Sequence, residues 1–150
     1  KPVWDMVLTN GGLRYEIWAD ADKVYKLKLN SEKIEPKALG KLGQLKNLQL
    51  LSLTNCALDS LPRSINQLES IVYFESLNNP LKSLSSGVAN WNNLLFINID
   101  STELDSLPIE IAYWQQLKII SIHKYSKNIN YVLHNSILIY VNKKKFVYLN

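Results

Sequence analysis

One cysteine, two histidines and five glycines leave this 150-residue chain without the equipment on which several function classes depend. Cys56 alone excludes an internal disulfide and any Cys-x-x-Cys metal or redox motif. His123 and His134 are too few for a histidine-built metal centre, and Asp100, Glu103 and Asp105 lack the spacing of a calcium loop. Gly11, Gly12, Gly40, Gly43 and Gly87 fall at turns and make no phosphate-cradling loop, so no cofactor is expected. Apolar runs last only a few residues, against about 20 for a bilayer-crossing helix, so no membrane span is expected.

A concentrated basic face is also missing. The formal charge is +4, but Lys23, Lys26, Lys28, Lys41, Lys46, Lys82 and Lys118 are scattered. The dense run Lys143-Lys144-Lys145 sits between two apolar stretches and reads as a hairpin turn. Nucleic acid is therefore not expected as a partner, because phosphate binding needs a basic patch or stripe.

What the chain does have is a period. Leu48, Leu51, Leu53, Cys56, Leu58, Leu61, Ile65 and Leu68 follow the spacing L-x-x-L-x-L-x-x-(N/C)-x-L, with Leu61-Pro62 behind it. Steps of 23 carry Leu48 to Ile71, Leu94 and Leu117, Leu51 to Phe74, Ile97 and Ile120, and Leu68 to Trp91 and Trp114. A step of 24 backwards reaches Val24, Leu27, Leu29 and Ile34. Five parallel strands are implied, beginning near residues 25, 49, 72, 95 and 118, with short helical or 3-10 return segments between them.

This unit is the leucine-rich repeat of the 23-residue LP type. Over residues 15 to about 123, with a short lead-in followed by the strand Lys23-Val24-Tyr25-Lys26-Leu27, the chain resembles secreted or surface-anchored bacterial leucine-rich-repeat proteins. The resemblance implies an α/β repeat solenoid, a horseshoe fragment, and an extracytoplasmic location. The chain also opens at Lys1-Pro2-Val3-Trp4 without an initiator Met or a leader, in keeping with a removed signal peptide.

One domain is expected at this length and at 47% hydrophobic residues. A solenoid exposes apolar surface at both ends, so caps are needed. Residues 1–22 read as the N-terminal cap, 23–123 as repeats and 124–150 as the C-terminal cap. Asn10-Gly11-Gly12 marks a turn, and Leu13 to Trp18 is either a short helix or the second arm of a hairpin. The spacing of Leu13, Ile17 and Trp18 favours the helix. Ile137–Val141 and Phe146–Leu149 read as a β-hairpin.

Strand side chains alternate, so Leu51 and Leu53 inside place Leu50, Ser52 and Thr54 outside. Three outward columns follow: Lys26, Leu50, Tyr73, Phe96, Ile119; Lys28, Ser52, Glu75, Asn98, Ser121; and Asn30, Thr54, Leu77, Asp100, His123. The first is an apolar ladder rimmed by polar groups, the usual mark of an interaction site. Leu50, Tyr73, Glu75, Phe96, Asn98, Asp100, Ile119 and His123 are the candidate contact residues for a protein partner on the concave face. The alternatives are a glycan or cell-surface ligand held by aromatic positions, and a structural spacer. The sequence does not set the oligomeric state.

Catalysis is not expected. Cys56 occupies the strand-to-loop position where a small buried group belongs, and His123 lies three repeats away, about 14 Å at ordinary strand spacing. Trp91 and Trp114 share a column that faces the core, which favours packing over a sugar platform. Ser76 stands in an otherwise aliphatic inward column, where it needs either a hydrogen-bond partner or a local bulge that turns Leu77 inward. In the column Glu32, Cys56, Asn79, Thr102, Tyr125, only Cys56 and Asn79 fit the family's loop-binding position, so the first and last turns are expected to be irregular.

Overall fold

The computed structural model describes residues 14–20, 23–30, 34, 36–104, 106–122, 138–141 and 146–148. One sheet carries eight strands in chain order: β1 (Arg14–Asp20), β2 (Lys23–Asn30), β3 (Leu50–Thr54), β4 (Tyr73–Leu77), β5 (Phe96–Asn98), β6 (Ile119–Ile122), β7 (Leu138–Val141) and β8 (Phe146–Tyr148). The five repeat strands, β2 to β6, are parallel and not offset: Leu27 pairs with Leu51, Leu51 with Phe74, Phe74 with Ile97 and Ile97 with Ile120. β7 adds a sixth parallel strand, and β1 and β8 close the two sides antiparallel. This is the open, horseshoe-type repeat sheet that the period implies.

The return segments are short, as each has only to bring the chain back across one repeat. They are 3-10 turns at Leu42–Gln44, Arg63–Gln67, Ser86–Asn90 and Ile109–Tyr113, preceded by one helical turn at Pro36–Leu39. Pro62 and Pro108 enter their turns in extended backbone, with φ near −65°, the value their rings impose. Each 3-10 turn ends at the same column, Leu45, Leu68, Trp91 and Trp114, whose N–H donates three residues back.

Between sheet and return turns lies one continuous apolar core, built from the columns that the period assigns. Leu51, Leu53, Ile65, Phe74, Ile97 and Ile120 are fully buried. Trp91 and Trp114 are buried within it, and Trp91 lies 4.9 Å from the Phe74 ring. Their indole N–H groups donate to the carbonyls of Ile65 (3.1 Å) and Val88 (2.7 Å) in the preceding repeat, so neither tryptophan is open to a ligand.

The helix favoured for Leu13 to Trp18 is corrected by β1, which pairs with β2 from Arg14↔Asn30 to Asp20↔Lys23 with a shift between Trp18 and Ala19. The reason is the outer edge of β2. Its N–H and C=O groups need partners, and only an extended segment can supply them in series. Ile17 packs against the core from this strand. At the other end β7 and β8 form the expected antiparallel hairpin. Residues 1–13, including the Asn10-Gly11-Gly12 turn, and 142–145 lie outside the described residues, as do Glu32 and Tyr125.

A candidate binding face on the sheet

The strand-to-loop corner fixes how the outward face ends. Asn55, Asn78 and Ser101, spaced by one repeat, all have φ between 51° and 56°, left-handed backbone that turns the chain out of the strand. Asn residues tolerate that region best after glycine. Beneath the corner, Asn79 is fully buried: its Oδ1 accepts from the N–H groups of Cys56 (2.9 Å) and Leu58 (3.2 Å), and its Nδ2 donates to Leu53 O (2.9 Å). The same Nδ2 lies 2.9 Å from Ser76 Oγ. Ser76 is therefore partnered, and β4 runs beside β3 without a bulge. Cys56 is buried, with its thiol 3.2 Å from Thr54 O. Thr102 is too short to do what Asn79 does; its hydroxyl donates to Ile99 O (2.9 Å), and the loop before it closes through Leu81 N to Asn79 O (2.7 Å).

On the outward face the ladder is in unbroken register: Lys26↔Leu50, Leu50↔Tyr73, Tyr73↔Phe96, Phe96↔Ile119, and then Ile119↔Leu138 of β7. Leu50, Tyr73, Phe96 and Ile119 are all half-buried. The Tyr73 and Phe96 rings stack at 4.5 Å between centroids, with planes 8° apart. An aromatic pair of this kind contributes roughly 0.5–1.5 kcal/mol beyond the area it buries.

The second column holds a carboxylate in a fixed position. Glu75 Oε1 accepts from the Ser52 hydroxyl (2.7 Å), and Oε2 accepts from the Tyr73 hydroxyl (3.0 Å). Burial, and then the nearby Glu75 charge and this hydrogen bond, push the Tyr73 phenol up to about 12. Asn98 stands opposite Glu75 across β4 and β5, and its Oδ1 accepts from the backbone N–H of Asp100 (3.1 Å). Asp100 in turn accepts from the Ser121 hydroxyl at 3.0 and 3.1 Å. Ser52 and Ser121 face outward as expected, yet both are buried, because each short hydroxyl is bonded under a longer acidic neighbour.

Seven of the eight candidate residues therefore belong to one face: Leu50, Tyr73, Phe96 and Ile119 in the ladder, Glu75 and Asn98 beside it, and Asp100 at its end. His123 lies outside the described residues. Sequence reasoning left Ser52 and Ser121 out of the candidate set. The signal for Ser52 was its one-repeat offset from Glu75, whereas Asp100 reaches Ser121 on a diagonal of 21 residues that no column shows.

Away from this face, a cleft of about 180 Å³ opens beside Ile34, Leu39, Cys56 and Leu58. It falls below the roughly 300–1,000 Å³ of small-molecule sites. Among the described residues, no three His, Cys, Asp or Glu side chains are grouped to hold a metal ion, and no helix is long and apolar enough to cross a membrane.

No protein-family model and no curated protein matches the chain. Solved structures do. A leucine-rich-repeat protein of Leptospira interrogans is similar over 66% of this chain at 27% identity, with a TM-score of 0.51. A chain of the Toll–Spatzle complex of Drosophila is similar over 67% of this chain at 18% identity, with a TM-score of 0.52. The aligned part spans 28% and 14% of those two chains, so the likeness is to a short part of longer chains. Together, the 23-residue period, the parallel sheet in register and this structural likeness make the chain a leucine-rich-repeat protein.

Proposed function

We propose that the chain is a non-enzymatic protein-binding module that takes its partner on the outward, concave face of the sheet. The observation that carries this is the ladder Leu50, Tyr73, Phe96, Ile119, which stays half-buried and in register across four strands. Cross-strand contact alone accounts for some of it, at about 0.2–1 kcal/mol per pair. Bulky apolar groups left in a row on an exposed face lower solubility, and a partner that covers them removes that cost. The hairpin supports the reading too, since β7 and β8 extend the sheet sideways beyond β6.

The glycan alternative loses its two tryptophans, both of which are buried. The extracytoplasmic setting implied by the opening segment belongs to the same proposal, and fractionation of the source cells tests it. The binding test is retention of proteins from a native extract on the immobilised chain, followed by affinity measurement with the retained protein. Y73S/F96S should weaken that protein at least tenfold, as expected for central aromatic anchors. Substitution of Arg63 and Glu110, on the return turns, should leave it unchanged. The reverse pattern places the partner on the other face and ends the proposal.

A further inference from the structure

We infer that the occupant of this face is an extended polypeptide segment that sets a large apolar side chain against the Tyr73–Phe96 pair and, two residues along, an Arg or Lys on Glu75. The inference rests on the concave-face reading above and adds the chemistry of the partner.

The first ground is which part of the stacked pair is open. With centroids 4.5 Å apart and planes 8° from parallel, the rings stack along the direction that separates strands, about 4.8 Å. Their faces are thus turned toward each other and toward the register neighbours Leu50 and Ile119. A partner meets ring edges. Cation–π capture needs a ring face, whereas edges accept aliphatic groups or the face of another aromatic ring. The pair therefore takes an apolar side chain in preference to a quaternary ammonium ion.

The second ground is charge. Ser52 and Tyr73 orient the Glu75 carboxylate but are neutral hydroxyls, so they leave its charge in place. Each oxygen accepts one of these bonds and retains capacity for another. The contacts described for Glu75 come from these two neutral hydroxyls, although the whole chain carries a formal charge of +4. A half-buried carboxylate, held in place by neutral groups, is complementary to a guanidinium or ammonium group, which gains a charge-assisted hydrogen bond there. The same charge repels a nucleic-acid phosphate.

The third ground is spacing. Glu75 lies two residues beyond Tyr73 on one face of β4, about 6.6–6.8 Å along a strand. That is the distance between same-face side chains at i and i+2 of an extended polypeptide. Beside Glu75, the Asp100 N–H claims Asn98 Oδ1 and so directs Nδ2 away from that bond as a donor, with no partner among the described residues. An acceptor and a donor side by side suit a peptide chain, whose carbonyl can take the Asn98 amide.

The test is selection of random-sequence peptides displayed on phage against the full chain, then affinity measurement with synthesised winners. Enriched sequences should share a large apolar residue two positions from Arg or Lys. The Arg→Gln change in the peptide and E75Q in the protein should each cost at least tenfold, and the two together no more than either alone, since they remove one interaction. The peptide-side change needs no altered protein, and thermal unfolding of E75Q checks its fold. Winners that weaken with F96S but ignore both E75Q and their own Arg→Gln overturn this inference and leave the concave-face reading standing. Winners indifferent to Phe96 and Glu75 alike overturn both. Binding on a glycan array, with no enriched peptide, overturns the polypeptide.

Discussion

At the scale of single residues, Tyr73 joins the ladder to the polar column, and its proton reports the connection. Its phenol rises from the ordinary 10.0 to about 12, through burial first and Glu75 second. The folded chain then holds this proton more tightly than the unfolded chain does. The resulting stabilisation is complete below pH 10 and is lost as the pH climbs to about 12. Denaturant unfolding of wild type and Y73F across that window should show a steeper loss of stability in wild type; parallel curves would mean that folding does not raise the Tyr73 phenol. Asn79 is the other residue on which much depends. N79A strips partners from the buried N–H groups of Cys56 and Leu58, at about 1–3 kcal/mol for each orphaned group, and should lower the melting temperature sharply. Cys56, buried with its thiol on the Thr54 carbonyl, should label slowly with thiol reagents until the chain is denatured.

At the scale of elements, the return turns set how closely repeats approach. A Cβ on Gly43 would lie 2.1 Å from the backbone oxygen of Ser64 in the next repeat, and one on Gly87 would lie 1.9 Å from the Asn66 side-chain nitrogen. A backbone oxygen cannot move without shifting its turn, whereas a side chain can swing aside and give up its bond, here the Ser85 hydroxyl donating to Asn66 Oδ1. G43A should therefore cost more than G87A, within the roughly 1–3 kcal/mol typical of overpacking, and N66A should relieve only part of the G87A loss, since the Asn66 Cβ, 2.7 Å from the added carbon, stays in place, and none of the G43A loss. Equal losses, measured by denaturant unfolding, would mean that the turns part more easily than their contacts indicate.

At the scale of the whole molecule, the inner and outer columns of the same strands are expected to behave oppositely. Leu51→Ala or Ile97→Ala opens a cavity in the continuous core and should cost about 2–5 kcal/mol. Removing Tyr73 or Phe96 forfeits only a stacked pair on the half-buried face, and in Tyr73 a hydrogen bond, so partner affinity should fall before stability does. The division into an N-terminal cap over 1–22, repeats over 23–123 and a C-terminal cap over 124–150 remains our proposal. Cutting away residues 124–150 removes β7 and β8 and leaves the β6 edge unpaired, so the shortened chain should associate and melt earlier. An unchanged monomer with an unchanged melting temperature would deny that segment a capping role.

The sequence by itself determined the parallel register, the core columns and the inward tryptophans. A period carried through five copies leaves each strand residue one neighbour on either side and each aliphatic column one direction to face. It also placed the ladder, because alternation along a strand is a property of the backbone. Only the tertiary structure decided that Arg14 to Trp18 belongs to a strand, since the spacing of this stretch suits helix and hairpin alike and the choice falls to the otherwise unpaired edge of β2. Only the structure supplied Ser76 with Asn79, Glu75 with Ser52 and Tyr73, and Asp100 with Ser121. These pairs depend on the reach and direction of side chains across repeats, where a hydrogen bond forms or fails within a few tenths of an ångström, and a repeat period carries no information at that distance.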